Sequence, residues 1–315
     1  MTRTGSSPLR AAVIGAGYLG PFHGDKYASL ENVELVGIVD IDPTRAAECA
    51  QRCHTRAFTD YRALFNQVDC VSLAVPTTAH AVIARDLLQH GIDVLVEKPL
   101  TATVAEGREL VAVAEACGRI LQVGHLERFN PAIRSLAGVL TQPRFIECHR
   151  LASFVERGTE VDVILDLMIH DLDVILSVVR GEVERIEAVG VPVLTEQIDI
   201  ANARLRFSSG CIANVTASRV ATKRERKIRF FQSDTYVSVD YDAKYTRILR
   251  RRAGASGSPE IDAEELQFTD ADSLLAEITD FVDAVRHRRA PVVDGRAALR
   301  ALEVAHRIKD AVETI

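Results

Sequence analysis

The chain has 315 residues, 47% hydrophobic and 26% charged, an ordinary composition for a globular protein. Its formal net charge of −6 argues against a nucleic-acid footprint, which would be strongly basic, so an anionic ligand must be held by local cations. The length predicts two domains, because single cores stop growing at roughly 250–300 residues.

Read in chain order, the first third alternates short apolar runs with helical patterns. Leu9–Ile14 is a strand candidate, followed by a helix from about Leu19 to Leu30. Val33–Val39 is the next strand, and Pro43 can open the following helix at its first turn. Asp69–Val75 is a strand that leads into a helix from about Ala79 to His90, ended by Gly91. Ile92–Val96, a helix over Val104–Cys117 and a strand at Ile120–Val123 close the series. Strands that alternate with helices predict βαβ units and a doubly wound parallel sheet, the α/β Rossmann class. From about residue 124 the pattern changes. Arg144–Leu151, Val183–Val193, Ala201–Phe207, Cys211–Ser218, Lys227–Phe231, Tyr236–Val239 and Tyr245–Arg250 read as strands. Ala201–Phe207 alternates apolar and polar residues, as a sheet wet on one face should. The turn "SSG" at 208–210 predicts a hairpin, and 253–260 reads as a surface loop. Helices are expected over Val163–Val179, Ser273–Arg288 and Arg296–Val312. The second half is therefore α+β with a mostly antiparallel open sheet. The boundaries expected are 1–123 for the first domain and 124–315 for the second, with the C-terminal helices able to pack back on the first.

Four motifs carry chemistry. "AVIGAGYLG" places Gly15, Gly17 and Gly20 directly after the first strand, with Tyr18 and Leu19 inside the turn. Glycines there allow a tight turn and the approach of a pyrophosphate to the helix N-terminus. Asp40, at the end of the second strand, stands ~20 residues on, where an acid can accept hydrogen bonds from a ribose diol and repel a 2′-phosphate. That favours NAD over NADP, with Arg45 close enough to matter. Asp42 either shares the ribose or caps the helix that Pro43 begins. "LAVPTTAH" puts Ala74, Pro76, Thr77, Thr78 and His80 at the carboxyl end of the third apolar strand, where such sheets bind ligands. "VLVEKPL" puts Glu97, Lys98 and Pro99 on the same rim. A partly desolvated lysine there exerts a strong field on a nearby oxygen. "DLMIHDLDVI" places Asp166 and His170 at i,i+4 on one helix face, with Asp173 three residues on, so the imidazole can be oriented by carboxylates.

Together these motifs resemble the Gfo/Idh/MocA oxidoreductase family, over nearly the whole chain. The resemblance implies a nicotinamide cofactor that oxidises or reduces a sugar, cyclitol or related alcohol. It implies Lys98 and His170 at the reacting carbon, with Asp166 orienting or relaying for His170. Glu97 either holds Lys98 or contacts the cofactor, and the Lys98–Pro99 bond can be cis. The cofactor set so implied is Gly15, Gly17, Tyr18, Leu19, Gly20, Asp40, Ala74, Pro76, His80, Glu97 and Lys98. "GHLERFNPA" and "ERGTEVDVILDLMIHDLDVIL" resemble more narrowly the branch that contains UDP-N-acetylglucosamine 3-dehydrogenases. That likeness implies a UDP-sugar bound by Lys98, Arg128, Phe129, Asn130, Arg157, Asp166, His170 and Arg219. Other UDP-sugars, UDP-sugar acids and inositols remain substrates of neighbouring branches, and a non-catalytic NAD sensor is the reading outside enzymes. A diphosphate needs cations or an amide nest. Arg134 and the run "RVATKRERKIRF" at 219–230 are further sources of charge. The expected partners are a second copy of the chain, as dimer or tetramer, and an aminotransferase acting on the product in 2,3-diamino lipid A synthesis; no membrane partner is expected. Cys49 and Cys53, four residues apart, have only His54 nearby, so free thiols rather than a metal site are expected. The N-terminus lacks a signal-peptide pattern, and a cytoplasmic location is expected.

Overall fold

The structure is a computed structural model that describes residues 7–155, 159, 161–253 and 259–314. The first series is β1 (Leu9–Ile14), α1 (Gly20–Ser29), β2 (Val33–Val39), α2 (Pro43–Arg52), β3 (Arg56–Phe58), β4 (Cys70–Leu73), α3 (Thr77–Gln89), β5 (Asp93–Glu97), α4 (Val104–Ala116) and β6 (Leu121–Gly124). There follow α5 (Pro131–Arg134), β7 (Phe145–Leu151), α6 (Ile169–Val178), β8 (Val183–Val191), β9 (Ile200–Phe207), β10 (Ile212–Ser218), β11 (Glu225–Phe231), β12 (Thr235–Asp240), β13 (Tyr245–Ala253) and β14 (Pro259–Gln267). The chain closes with α7 (Ser273–His287), α8 (Gly295–Ala311) and β15 (Val312–Thr314).

The chain divides into two compact units, Met1–His125 with Leu274–Leu299, and Leu126–Ser273 with Arg300–Ile315. In the first, six strands lie in the order β3-β2-β1-β4-β5-β6, and every pair is parallel. The order reverses between β1 and β4, which opens the crevice at their carboxyl ends. Strands β4 and β6 are buried along their whole length, which explains their unbroken apolar runs. The 3- and 4-residue spacing of Ile278, Phe281, Val282 and Val285 on α7 lets one helix face bury against Ala11, Val13, Tyr27 and Ile38. Each such large side chain contributes about 1.5–3 kcal/mol on leaving water.

In the second unit nine strands lie in the order β14-β13-β12-β11-β7-β10-β9-β8-β15. The pairs β7–β10 and β8–β15 are parallel, and the others are antiparallel. Burial alternates along β9, with Ala201, Ala203, Leu205 and Phe207 inward and Asn202, Arg204 and Arg206 outward. The expected hairpin joins β9 to β10, with Gly210 at φ +83°.

Strands β3, β14 and β15 were not expected. All three are sheet edges. Residues 254–258 of the expected 253–260 loop lie outside the described residues. The expected single helix over Val163–Val179 is instead a wide turn over Ile164–Met168 that runs into α6.

Candidate active site

In the first unit the Gly-rich turn links β1 to α1. Gly15 has φ +100°, and a Cβ there would lie 2.4 Å from the Ala74 carbonyl oxygen. A Cβ on Gly20 would lie 1.9 Å from the Gly15 carbonyl oxygen. These two glycines serve close packing. Gly17 differs, since a Cβ there meets nothing within 4 Å. It borders open space, where a pyrophosphate can approach backbone amides. Tyr18 and Leu19 are exposed beside it.

Asp40 is buried at the end of the sheet's second strand. Its carboxylate accepts hydrogen bonds from Ala16 N at 2.8 Å, Asp42 N at 2.9 Å and Arg45 Nη2 at 2.9 Å. Burial pushes its pKa up, but these donors outweigh it and hold the group below the ordinary carboxylate range. The ionised acid is therefore aimed from the Gly-rich turn's own backbone. Asp42 caps α2 through Thr44 N and Arg45 N. The open cradle at Gly17 and the fixed carboxylate of Asp40 fit NAD.

On the rim formed by β4 and β5, Ala74 is half-buried and Pro76 exposed. His80 is buried, and both ring nitrogens are engaged, Nδ1 with the Pro99 carbonyl at 3.0 Å and Nε2 with the Val75 carbonyl at 2.9 Å. Burial pulls its pKa down, against the raising effect of those carbonyls. Carbonyls only accept and a neutral imidazole carries one N–H, so the ring donates to one of these two oxygens while it lies against both rim loops. The Lys98–Pro99 peptide bond is cis, and Lys98 is half-buried.

His23 is the residue that sequence reasoning missed. It is fully buried on α1, with Nδ1 3.0 Å from Ser72 Oγ and Nε2 2.9 Å from Glu97 Oε1. A carboxylate only accepts, so Nε2 is the donor. Tyr27 continues the chain at 2.9 Å from Ser72 Oγ. Burial pushes the Glu97 pKa up, but the His23 hydrogen bond and the charges of His23 and Lys98 outweigh it and keep the acid ionised. Gly20, His23, Gly24 and Tyr27 share the buried face of α1. A histidine on that face was the available signal.

In the second unit His170 opens α6, and Asp166 lies in the wide turn before it; both are half-buried. Wide turns inside helices occur often at functional sites. Three ties fix this entry. Asp162 Oδ1 accepts from Ile164 N and Leu165 N at 3.0 Å each. Lys309 Nζ meets Asp162 Oδ2 at 2.8 Å. Val163 N donates to the Ile198 carbonyl at 3.0 Å. Behind the helix Asp171 accepts two bonds from buried Arg150, Nε at 2.7 Å and Nη2 at 2.9 Å. Arg150 Nη1 also reaches Glu127 at 3.1 Å.

The expected substrate residues separate into groups. Arg128 is mostly buried and lies 3.5 Å from Asp173. Phe129 is core. Asn130 caps α5 through Ala132 N and donates to Glu127 and to the Tyr241 carbonyl, so its amide is fully used. Arg219 is buried and donates to the carbonyls of Val161 and Ile198, and its Nε lies 3.2 Å from Asp199. Phe129, Asn130 and Arg219 are therefore structural supports, contrary to expectation. Arg157 lies outside the described residues. Cys49 and Cys53 are buried and free, with burial pushing Cys53 to about 12.

The family described as "Oxidoreductase family, NAD-binding Rossmann fold" matches residues 9–125, and the GFO/IDH/MocA C-terminal domain matches residues 132–237. The chain is 40% identical to the UDP-N-acetylglucosamine 3-dehydrogenase of Acidithiobacillus ferrooxidans over 97% of each protein. A solved structure of that enzyme matches with a TM-score of 0.91 and 37% identity over 98% of each chain. The myo-inositol 2-dehydrogenase of Thermotoga maritima is 25% identical over 97% of this chain and 96% of its own.

Proposed function

Because the chain belongs to the Gfo/Idh/MocA oxidoreductase family, we propose that it oxidises the 3-hydroxyl of UDP-N-acetylglucosamine to the 3-keto sugar. The observation that carries this reading is the 40% identity with a UDP-N-acetylglucosamine 3-dehydrogenase over 97% of both proteins. NAD, when bound, supplies the hydride acceptor. Gly17 lets its pyrophosphate approach, and the Asp40 carboxylate receives the ribose diol and repels a 2′-phosphate. His170 takes the proton of the sugar hydroxyl as general base, with Asp166 orienting the ring. Lys98 hydrogen-bonds the same oxygen and stabilises its developing negative charge. Glu97, held by His23, places a fixed negative charge next to Lys98 in sequence.

The product ketone is suited to amination by an aminotransferase, which fits synthesis of a 2,3-diamino lipid A. The six free cysteines fit a reducing cytoplasm. The open face of the nine-stranded sheet supports a homodimer or homotetramer, since it carries the aromatic cluster of Phe145, Phe231 and Tyr236, with ring centroids 5.5 Å and 5.2 Å apart.

NADH formation with UDP-N-acetylglucosamine tests the activity directly. Lys98→Met and His170→Ala are each expected to lower kcat by about 10²–10³-fold while NAD still binds. Wild-type turnover in either variant refutes the assigned roles. Turnover with inositols but not with UDP-sugars refutes the substrate.

A further inference from the structure

The strand β11 runs antiparallel to β7 so that Arg226 stands directly opposite Arg150. Burial marks Ile228 and Phe230 on the same face as Arg226, and Ile146 and Cys148 on the same face as Arg150. Two guanidiniums therefore meet across one pair of strands, an arrangement that is destabilising by itself. Arg224 adds a third cation close by. Carboxylates offset the group, but they are already occupied. Both oxygens of Asp171 accept from Arg150. Both oxygens of Asp242 accept from Arg224 at 2.7 Å. Glu127 takes Arg150 on one oxygen and Asn130 on the other.

Arg226 is what remains. Its one ion-pair contact among the described residues is with Asp242 Oδ1 at 3.8 Å, too long for a hydrogen bond. Its side chain is 29% exposed, whereas that of Arg150 is 2% exposed, so Arg226 is the member of the pair a ligand can reach. Burial and the neighbouring charges of Arg150 and Arg224 lower its pKa, which marks a cation in a site short of negative charge. Arg150 in turn grips Asp171, the residue that follows His170 on α6.

We infer that Arg226 is a specificity-determining residue that binds a phosphoryl oxygen of the substrate's nucleoside diphosphate. This rests on the proposed UDP-sugar activity. A guanidinium whose five donors have no hydrogen-bond acceptor among the described residues suits a phosphate, which offers several acceptor oxygens. The anion relieves the repulsion between Arg226 and Arg150 at the same time.

The test uses the full chain with NAD, comparing wild type, Arg226→Met and Arg226→Lys. KM for UDP-N-acetylglucosamine is expected to rise about 10- to 100-fold in Arg226→Met, with kcat falling less than about threefold, as for the loss of a charge-assisted bond made equally in ground and transition states. Arg226→Lys recovers part of the loss. The Kd for UDP alone, measured by calorimetry, rises in parallel. The melting temperature without ligand stays level or rises, because a like-charge contact is removed. A melting temperature that falls by several degrees, or a KM and UDP affinity within twofold of wild type, overturns the inference. If wild type forms no NADH with UDP-N-acetylglucosamine, the proposed activity has failed. The UDP titration then still decides Arg226, and absence of UDP binding to wild type overturns it.

Discussion

The buried ion group behind α6 makes a quantitative prediction. Asp171 is fully buried and accepts two short bonds from Arg150, whose guanidinium also meets Glu127 and lies 5.2 Å from the ring centre of Tyr241. Burial alone would pull the Arg150 pKa down, but the charges of Asp171 and Glu127 raise it far above the ordinary value, so this guanidinium stays charged. Asp171→Asn keeps the side-chain shape and removes one negative charge. It also turns an amide donor toward a group that has only donors. Breaking a buried pair from one side costs about 3–5 kcal/mol, and the surviving Glu127 contact places the loss near the lower figure. At roughly 2–4 °C per kcal/mol for a unit of this size, the melting temperature should fall by about 6–12 °C. Calorimetric melting of wild type, Asp171→Asn and the double variant Arg150→Met with Asp171→Leu measures this. The double variant should recover part of the loss, because it removes both charges of the Arg150–Asp171 pair while Glu127 keeps its hydrogen bond from Asn130. A fall below about 2 °C in Asp171→Asn, or a double variant worse than the single one, refutes the reasoning.

Two further predictions come from positions outside that group. Gly17→Ala should fold with an unchanged melting temperature, since its Cβ meets nothing within 4 Å, but should raise the Kd for NAD. Gly20→Ala should instead lower the melting temperature, because its Cβ falls 1.9 Å from a backbone oxygen; equal effects from the two would contradict the division of roles in the turn. Asp199 predicts the acid limb of the stability curve. Burial pushes its pKa up, but the backbone N–H groups of Val193, Leu194 and Thr195 and the Thr195 hydroxyl outweigh it and lower the pKa from 3.8 to about 2. A group depressed in the folded state stabilises above its unfolded pKa, and that contribution is lost as pH falls from 3.8 toward 2. Urea melts across that range should show a flatter acid limb for Asp199→Asn than for wild type.

The elements legible in the sequence were those whose burial imposes a period. β1 and β2 run over the residues their apolar runs mark, and β9 alternates in burial as it does in polarity. The missed strands lack that signal for a physical reason. β3 is three residues long, and β14 carries "PEIDAEELQ", with Ile261 mostly exposed. Edge strands are kept short or charged against self-association, which removes the pattern that would reveal them. β15 pairs along three residues at the end of a helix and has no room for a period. The single helix expected over Val163–Val179 failed for another reason. Its apolar pattern is continuous, but the turn at 164–168 is held by Asp162, Lys309 and the Ile198 carbonyl, partners far apart in sequence.

The same limit governs the cations. In "RVATKRERKIRF" every arginine looks alike, and the first of them was expected to meet substrate. Tertiary contacts separate them. Arg219 is spent on two carbonyls and Asp199, Arg224 on Asp242, and Arg229 on Glu147 at 2.8 Å. A guanidinium whose donors are filled by its own chain gains little from a ligand, because binding must first break those bonds. Arg226 faces another arginine across the sheet and, among the described residues, has no such bond to give up. Its availability is therefore a property of register, and register depends on which strand β11 pairs with, which the run of charges does not encode.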